Sequence, residues 1–103
     1  MEVSEFQTRV ARWIEGHGGY FPPLANLARL TEETGELARA METLFGSRVP
    51  KPGEDPGTPE EEIGDMLFVL AVIAGQTGVD LARAAEATLA KVELRDAGRY
   101  PAG

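Results

Sequence analysis

An uninterrupted run of nine apolar residues, residues 66–74, limits the folds available to this chain more than any other feature. The run is about half of the roughly 20 residues that a helix needs to cross a bilayer. Its apolar side chains cover almost every face of a helix, so protein must surround that helix. Three short partner helices from one chain of 103 residues are hard to arrange around it. A second copy of the chain is the simplest cover, and we therefore expect at least a dimer.

Spacings of three and four residues between apolar side chains predict the first two helices. From Val3 to Ile14 these spacings place the apolar residues on one face, and the glycines after His17 end that helix. A second helix is predicted from Leu24 to Gly46, because two prolines precede it and a glycine follows it. Its apolar stripe, which we expect to pack lengthwise on neighbouring helices, consists of Leu27, Leu30, Thr34, Leu37, Met41 and Leu44.

Capping signals predict two further helices. A hydroxyl, a proline and a glutamate at residues 58–61 begin a helix that continues to about Gln76. Asp80 caps a fourth helix that ends near Gly98. The side chains that we expect to point inward from it are Leu81, Ala84, Ala85, Leu89 and Val92. Between the second and third helices, residues 46–57 contain three prolines and three glycines, which predicts a mobile loop.

These helices predict an all-α fold, an antiparallel bundle of about four helices in one domain spanning residues 1–103, completed by homo-oligomerisation. The 17 acidic residues outnumber the 10 basic ones, and the net charge of −7 argues against polymeric nucleic acid as a partner. The lack of cysteine excludes disulfides and thiolate zinc sites. The amino terminus is acidic where a signal peptide is basic, and no membrane segment is predicted, so we expect a cytoplasmic protein.

Two pairs of acidic residues stand beside the apolar faces of the predicted helices. Glu33 and Glu36 are three residues apart, as are Glu62 and Asp65, so each pair projects to one side of its helix. Four carboxylates that converge between two helices would repel one another unless a cation held them. An all-oxygen site favours a hard ion, Mg²⁺ or Mn²⁺, which also binds polyphosphates. Glu32 points away from this side, as a solvated residue or an outer partner.

A different metal site and a purely structural role are alternatives for these acids. Di-iron helical bundles require Glu-x-x-His motifs, whereas the only histidine here, His17, lies in a predicted loop. Acidic pairs three residues apart are also expected in so acidic a chain. Glu62 suits a helix amino terminus, and Glu33 and Glu36 have Arg29 and Arg39 as possible partners on their own helix.

The sequence EETGE, followed after 25 residues by EIGD, resembles the EExxE and ExxD signature of the MazG-like nucleotide pyrophosphohydrolases, of the all-alpha nucleoside triphosphate pyrophosphohydrolase superfamily. The resemblance covers nearly the whole chain and is that of a short, single-domain member. The surroundings that also match the family are residues 20–24, 29–31, 60–61 and 66–70.

This resemblance implies hydrolysis of a nucleoside triphosphate between the α and β phosphates, giving a monophosphate and pyrophosphate. Carried onto this chain, it makes Glu33, Glu36, Glu62 and Asp65 the Mg²⁺ ligands, with Mn²⁺ as a possible substitute. Glu33 or Glu36 is expected to act as the base, because a carboxylate bound through one oxygen can orient water with the other. The implied role is nucleotide-pool housekeeping.

Substrate contacts are proposed at several further positions. The family often places a lysine and an arginine near the end of its last helix, and Lys91 and Arg95 stand there to bind phosphate, although the usual asparagine between them is missing. Asn26 is expected to hydrogen-bond a base. Residues offered for base stacking or for closing over phosphates are Trp13, Tyr20, Phe21, Arg48 and Lys51.

A second hypothesis from another class is a non-catalytic helical oligomer that binds nucleotide or a partner protein and uses its acids for solubility. The sequence leaves open the base, the sugar, a normal or a damaged nucleotide, a dimer or a tetramer, and whether subunits share sites.

Overall fold

Four α-helices account for the regular structure of residues 1–100, the part of the chain that this computed structural model describes. They are α1 (Val3–Gly16), α2 (Pro23–Phe45), α3 (Pro59–Thr77) and α4 (Leu81–Asp96). No strand occurs among these residues. The prediction of an all-α fold with four helices is therefore confirmed.

The predicted caps explain where α3 and α4 begin. The Thr58 hydroxyl accepts a hydrogen bond from the backbone N–H of Glu61 at 3.2 Å and donates one to the Glu61 carboxylate at 3.0 Å. Asp80 accepts from the backbone N–H of Arg83 at 3.2 Å. These bonds satisfy backbone N–H groups that have no acceptor inside the helix. They therefore favour helix starts directly after Thr58 and Asp80.

Helix α3 is central, since α1 and α2 both pack against it, whereas α4 packs on α1. The core between α1 and α3 consists of buried Val10, Ile14, Ala71 and Val72. The side chains that surround this core are Phe6, Tyr20, Phe68 and Leu81. Part of the apolar run in α3 is thus buried within one chain, but Leu67 and Leu70 remain 50% and 39% exposed.

The face of α2 that meets α3 differs from the predicted stripe. Asn26 and Ala40 are buried, at 0% and 1% exposure, and Glu33 is half-buried. Leu30 and Leu37 are half-buried as well, but the other stripe residues, Leu27, Thr34, Met41 and Leu44, are exposed. A single chain therefore covers only part of the predicted stripe, and the packing of the remaining stripe residues stays a prediction. The buried residues of α2 are thus a small and a polar one, and α2 packs mainly on α3.

Most of the inward face predicted for α4 is also left uncovered by a single chain. Leu81 and Val92 are half-buried, whereas Ala84, Ala85 and Leu89 are exposed. The cause is the turn before α4, where Gly78 has a φ of 74° and α4 leaves α3 at an angle of 106°. The radius of gyration is consequently 16.9 Å, against about 13 Å for a compact domain of 100 residues.

The segment between α2 and α3 is irregular, as predicted, and an ion pair restrains it. The Arg48 guanidinium donates to both carboxylate oxygens of Glu54, at 2.7 and 2.9 Å, and to the Thr43 hydroxyl on α2 at 3.0 Å. These bonds fasten the segment to α2. Within residues 1–100, no single helix is long and apolar enough to cross a membrane; only α3 and α4 taken together across their bend have the required length and composition.

Candidate active site

Four carboxylates meet between α2 and α3. Glu33 and Glu36 come from α2 and Glu62 and Asp65 from α3, and one oxygen of each lies within 4.8 Å of the others. Residues three apart lie on one side of a helix, and the face of α2 that packs on α3 carries Glu33. The structure therefore brings together the four residues that the sequence singled out. Glu32 is exposed and lies outside this group.

Two of these carboxylates are withdrawn from solvent without a compensating partner. Glu62 is 6% exposed, and Glu33 is half-buried. One buried oxygen of each, Oε2, has no hydrogen-bond partner. None of the four carboxylates forms a salt bridge within residues 1–100, so pairing with Arg29 or Arg39 does not account for them.

Burial and mutual repulsion make the charged forms of these groups unfavourable. Burial raises the pKa of Glu33, the negative charges of Glu36 and Asp65 raise it further, and Arg29 opposes the shift. Burial also raises the pKa of Glu62, with Glu36 as the next contribution. A cluster made only of carboxylate oxygens, two of them buried without partners, fits a divalent cation site for a hard metal ion.

Gly57, a residue that no sequence motif marks, lies directly against the carboxylate of Glu62. Gly57 has a φ of 73°, and a Cβ atom placed on it would clash with Oε1 of Glu62. The backbone N–H of Gly57 donates to the Asp55 carboxylate at 2.9 Å, which holds this turn. Its place in a glycine-rich loop, where positive φ values are common, is the only signal in the sequence.

A cavity of about 320 Å³ lies between the end of α1, the first turns of α2 and the middle of α3, and none of the four carboxylates lines it. The Trp13 ring stacks on His17 with centroids 4.2 Å apart and meets the edge of Phe68 at 6.3 Å. Asn26 and Arg29 line the cavity two turns and one turn before Glu33 on α2. Its other lining residues are Ile14, Gly19, Tyr20, Phe21 and Val72. Asn26 and Glu33 are seven residues apart, a rise of roughly 10 Å along the helix.

The residues predicted to bind phosphate do not line this cavity. Lys91 and Arg95 lie exposed on α4, neither lines the cavity, and Arg95 pairs with Asp96 at 3.0 Å. Arg48 is engaged by Glu54, and Lys51 stays exposed in the loop. His17 also lines the cavity, and Gln76 contacts Asn26 at 3.0 Å, although neither residue was assigned a role from the sequence. The spacing of four between Trp13 and His17 was a usable signal, whereas nothing local marks Gln76.

A scan against protein families matches residues 21–100 to the MazG nucleotide pyrophosphohydrolase domain. The chain belongs to this family. It is 42% identical over 99 residues to YpjD of Bacillus subtilis strain 168, an uncharacterized protein, covering 95% of this chain and 89% of that protein. The resemblance stated from EETGE and EIGD is thus confirmed.

Solved structures of MazG-like proteins have the same fold. A candidate pyrophosphatase, YPJD from Bacillus subtilis, superposes with a TM-score of 0.77 at 42% identity, over 88% of this chain and 94% of that one. The Bacillus-conserved MazG protein, a nucleotide pyrophosphohydrolase, gives a TM-score of 0.74 at 38% identity, over 88% of each chain. iMazG from Vibrio DAT 722, at 24% identity and a TM-score of 0.66 over 92% and 97%, supports the fold alone.

The raised pKa of Glu62 predicts how the metal-free protein responds to pH. A carboxyl group whose pKa is raised by folding stabilises the fold below its unfolded pKa, near 4.3, and this contribution is lost as the pH rises through the folded value. Glu62→Gln removes that titration. In a chelator, the Tm of the variant should rise relative to that of the wild type as the pH is raised from 4.5 to 7.5. A Tm difference that does not change with pH would contradict the prediction.

Proposed function

We propose that this MazG-family chain is a Mg²⁺-dependent enzyme that hydrolyses nucleoside triphosphates between the α and β phosphates, releasing a monophosphate and pyrophosphate. The observation that carries the proposal is the group of four carboxylate oxygens within 4.8 Å, with buried oxygens of Glu33 and Glu62 lacking partners. Without a metal ion such a cluster lowers the stability of the fold, because burial and like charge both make the ionised carboxylates unfavourable. Nucleotide-pool housekeeping in the cytoplasm, by one domain spanning residues 1–103, is the role that we propose.

In this proposal Glu33, Glu36, Glu62 and Asp65 hold Mg²⁺, for which Mn²⁺ is a substitute. When bound, the ion neutralises phosphate charge and lowers the pKa of a nearby water. Glu33 and Glu36 are the candidates for taking the proton from the attacking water, since each carboxylate has two oxygens and needs only one as a ligand. Burial of Glu62 keeps its carboxylate in place and keeps bulk water from competing for it.

The cavity that Asn26 and Arg29 line on α2, one to two turns before Glu33, is the proposed place for the base. Trp13 and His17 form a stacked pair at its wall, and a planar ring packs well on such a surface. Tyr20, Phe21 and Asn26 also line it, which supports their proposed roles in stacking and hydrogen bonding. The rise of roughly 10 Å from Asn26 to Glu33 leaves room for a sugar between the base and the phosphates.

The test is to incubate the purified protein with Mg²⁺ and a panel of ribo-, deoxyribo- and oxidised triphosphates, and to resolve the products by chromatography beside an Asp65→Ala control. Monophosphate and pyrophosphate, absent in the control, are expected. Diphosphate and phosphate would place cleavage at another bond and contradict the proposal. No turnover of any substrate, together with no binding of Mg²⁺, would favour the non-catalytic helical oligomer instead.

Homo-oligomerisation, as a dimer or a tetramer, is also part of the proposal. Large apolar side chains of α2 and α3 that are between 39% and 79% exposed are Leu24, Leu27, Met41, Leu44, Phe45, Ile63, Leu67 and Leu70. So much exposed apolar surface on two adjacent helices is unusual for a monomer. We propose that a second copy covers these faces and that Lys91 and Arg95 reach the phosphates of a neighbouring subunit.

Light scattering should therefore give a mass of at least twice 11.1 kDa at micromolar concentration. Leu67→Glu places a charge on the exposed part of α3 and should shift the mass toward 11.1 kDa, because burying an unpaired carboxylate at an interface is costly. The wild type at the same concentration is the reference. A wild-type mass of 11.1 kDa at tens of micromolar would contradict this part of the proposal.

A further inference from the structure

Arg39, on the turn of α2 that follows the carboxylate cluster, has a guanidinium group that no acidic side chain binds. The residue is half-buried, and it forms no salt bridge within residues 1–100. Its Nε atom is buried and lacks an acceptor, whereas its two terminal nitrogens are not enclosed and donate no hydrogen bond in this part of the chain. Partly buried charges are normally paired, so Arg39 has donors to offer to an anion that reaches it from solvent.

Glu54, an acidic residue close enough to feel the charge of Arg39, is already held by another arginine. A hydrogen bond from Arg48 is the largest cause of the lowered pKa of Glu54, and the charges of Arg48 and Arg39 lower it further against the effect of burial. Arg48 donates to both carboxylate oxygens of Glu54, at 2.7 and 2.9 Å. The Thr43 hydroxyl accepts from Arg48 at 3.0 Å and donates to the Arg39 backbone carbonyl at 2.9 Å. Two arginines beside one carboxylate leave one positive charge unpaired, and that charge attracts an anion.

Both the helix and the loop place Arg39 beside the carboxylate cluster. Arg39 follows Glu36 by three residues, so the two side chains share one side of α2 at a rise of roughly 4.5 Å. The loop that brings Glu54 near Arg39 continues to Gly57, which lies against the Glu62 carboxylate. Arg39 therefore borders the cluster on the side where this loop meets α2.

We propose that Arg39 binds the β and γ phosphates of the substrate, and the pyrophosphate that is released, through the terminal nitrogens of its guanidinium group. The inference rests on the proposed nucleotide function and adds a binding residue for the leaving group. Along α2 the proposed base cavity lies before the cluster, at Asn26 and Arg29, and Arg39 lies after it. A nucleotide with its base in that cavity and its α phosphate beside the cluster would extend its outer phosphates toward Arg39. A guanidinium fork matches two phosphate oxygens, and its charge offsets the negative charge that the leaving group gains.

Calorimetric titration of the protein with inorganic pyrophosphate at saturating Mg²⁺ tests this role without hydrolysis. Arg39→Gln should weaken pyrophosphate binding about tenfold to a hundredfold, the loss expected when hydrogen bonds between charged groups are removed. Mg²⁺ binding in the absence of pyrophosphate should stay within about threefold of the wild type, because Arg39 is not part of the cluster. Arg39→Lys keeps the charge but not the fork, so it should recover only part of the lost affinity. An unfolded fraction of either variant lowers the stoichiometry of binding and not the affinity.

Arg12→Gln is the matched control, since it removes the same charge from an exposed position on α1 that lines neither the cavity nor the cluster. Its affinity for pyrophosphate should stay within about twofold of the wild type. A wild type that does not bind pyrophosphate, equal affinities in Arg39→Gln and the wild type, or an equal loss in Arg12→Gln would overturn the inference. An equally large loss of Mg²⁺ affinity in Arg39→Gln would also overturn it, because Arg39 would then act only by holding the loop and the cluster in place. Failure to cleave triphosphates would overturn the proposed hydrolysis and leave the pyrophosphate affinities unaffected.

Discussion

Glu62→Gln is expected to lower kcat for pyrophosphate release by on the order of a thousandfold or more, while the protein stays folded. Glu62 is the most buried of the four clustered carboxylates, and glutamine preserves its shape but removes its charge. The variant therefore loses affinity for Mg²⁺ and the electrostatic stabilisation that the bound ion gives to phosphate. Turnover is measured as pyrophosphate release, Mg²⁺ affinity by calorimetry and folding by circular dichroism.

Glu60→Gln is the matched control for this change. It removes the same charge from the same first turn of α3, so its effect on the helix dipole is comparable, but Glu60 is exposed and lies outside the carboxylate cluster. Its turnover should stay within about twofold of the wild type. In a chelator, Glu62→Gln should also unfold at a higher temperature than the wild type at neutral pH, because a buried unpaired charge is gone. Loss of activity accompanied by loss of the fold would contradict the assignment of Glu62 as a metal ligand.

The second large effect is expected from Gly57→Ala. The new Cβ atom would clash with Oε1 of Glu62, so the end of that side chain must shift, and we expect the shift to disturb the cluster. We expect Mg²⁺ affinity to fall at least tenfold, comparable to the loss when a residue that orients a metal ligand is removed. Turnover at subsaturating Mg²⁺ should fall with it and recover in part at high Mg²⁺.

Gly53→Ala separates this displacement from backbone strain. Gly53 has a φ of 80°, close to the 73° of Gly57, but a Cβ atom placed on it meets nothing within 4 Å. Both variants should lose about 1–2 kcal/mol of stability, because an alanine in the left-handed region is strained. Calorimetry should show weakened Mg²⁺ binding only for Gly57→Ala. Equal Mg²⁺ affinities in the two variants would mean that Gly57 does not position Glu62.

Features that depend on neighbouring residues were predictable from the sequence. Helix α3 begins at the predicted cap, where the Thr58 hydroxyl bonds the Glu61 N–H, and α4 begins at Asp80, because these contacts span only three residues. The two carboxylate pairs follow from a spacing of three in a helix. The motifs EETGE and EIGD were enough to predict the family, and the match over residues 21–100 confirms that prediction.

Features that depend on distant parts of the chain were not predictable in this way. The apolar stripe of α2 suggested packing through Leu27 and Met41, but α2 meets α3 through the smaller Ala40 and the polar Asn26. Only the packing of two complete helices selects that face, because the choice depends on the sum of many weak van der Waals contacts. The Asn26 amide likewise bonds Gln76, which is 50 residues away.

Local sequence was therefore enough to define the four helices, their caps and the pairing of acids on each helix, since backbone and side-chain geometry within a turn impose them. Tertiary packing selected which faces meet, where α4 points after the turn at Gly78, and the pairing of Arg48 with Glu54. It also joined the two acidic pairs into one cluster of four and gave Glu62 its place beside Gly57. Those outcomes depend on burial and on contacts between residues far apart in the chain, where the free energy of packing outweighs local preference.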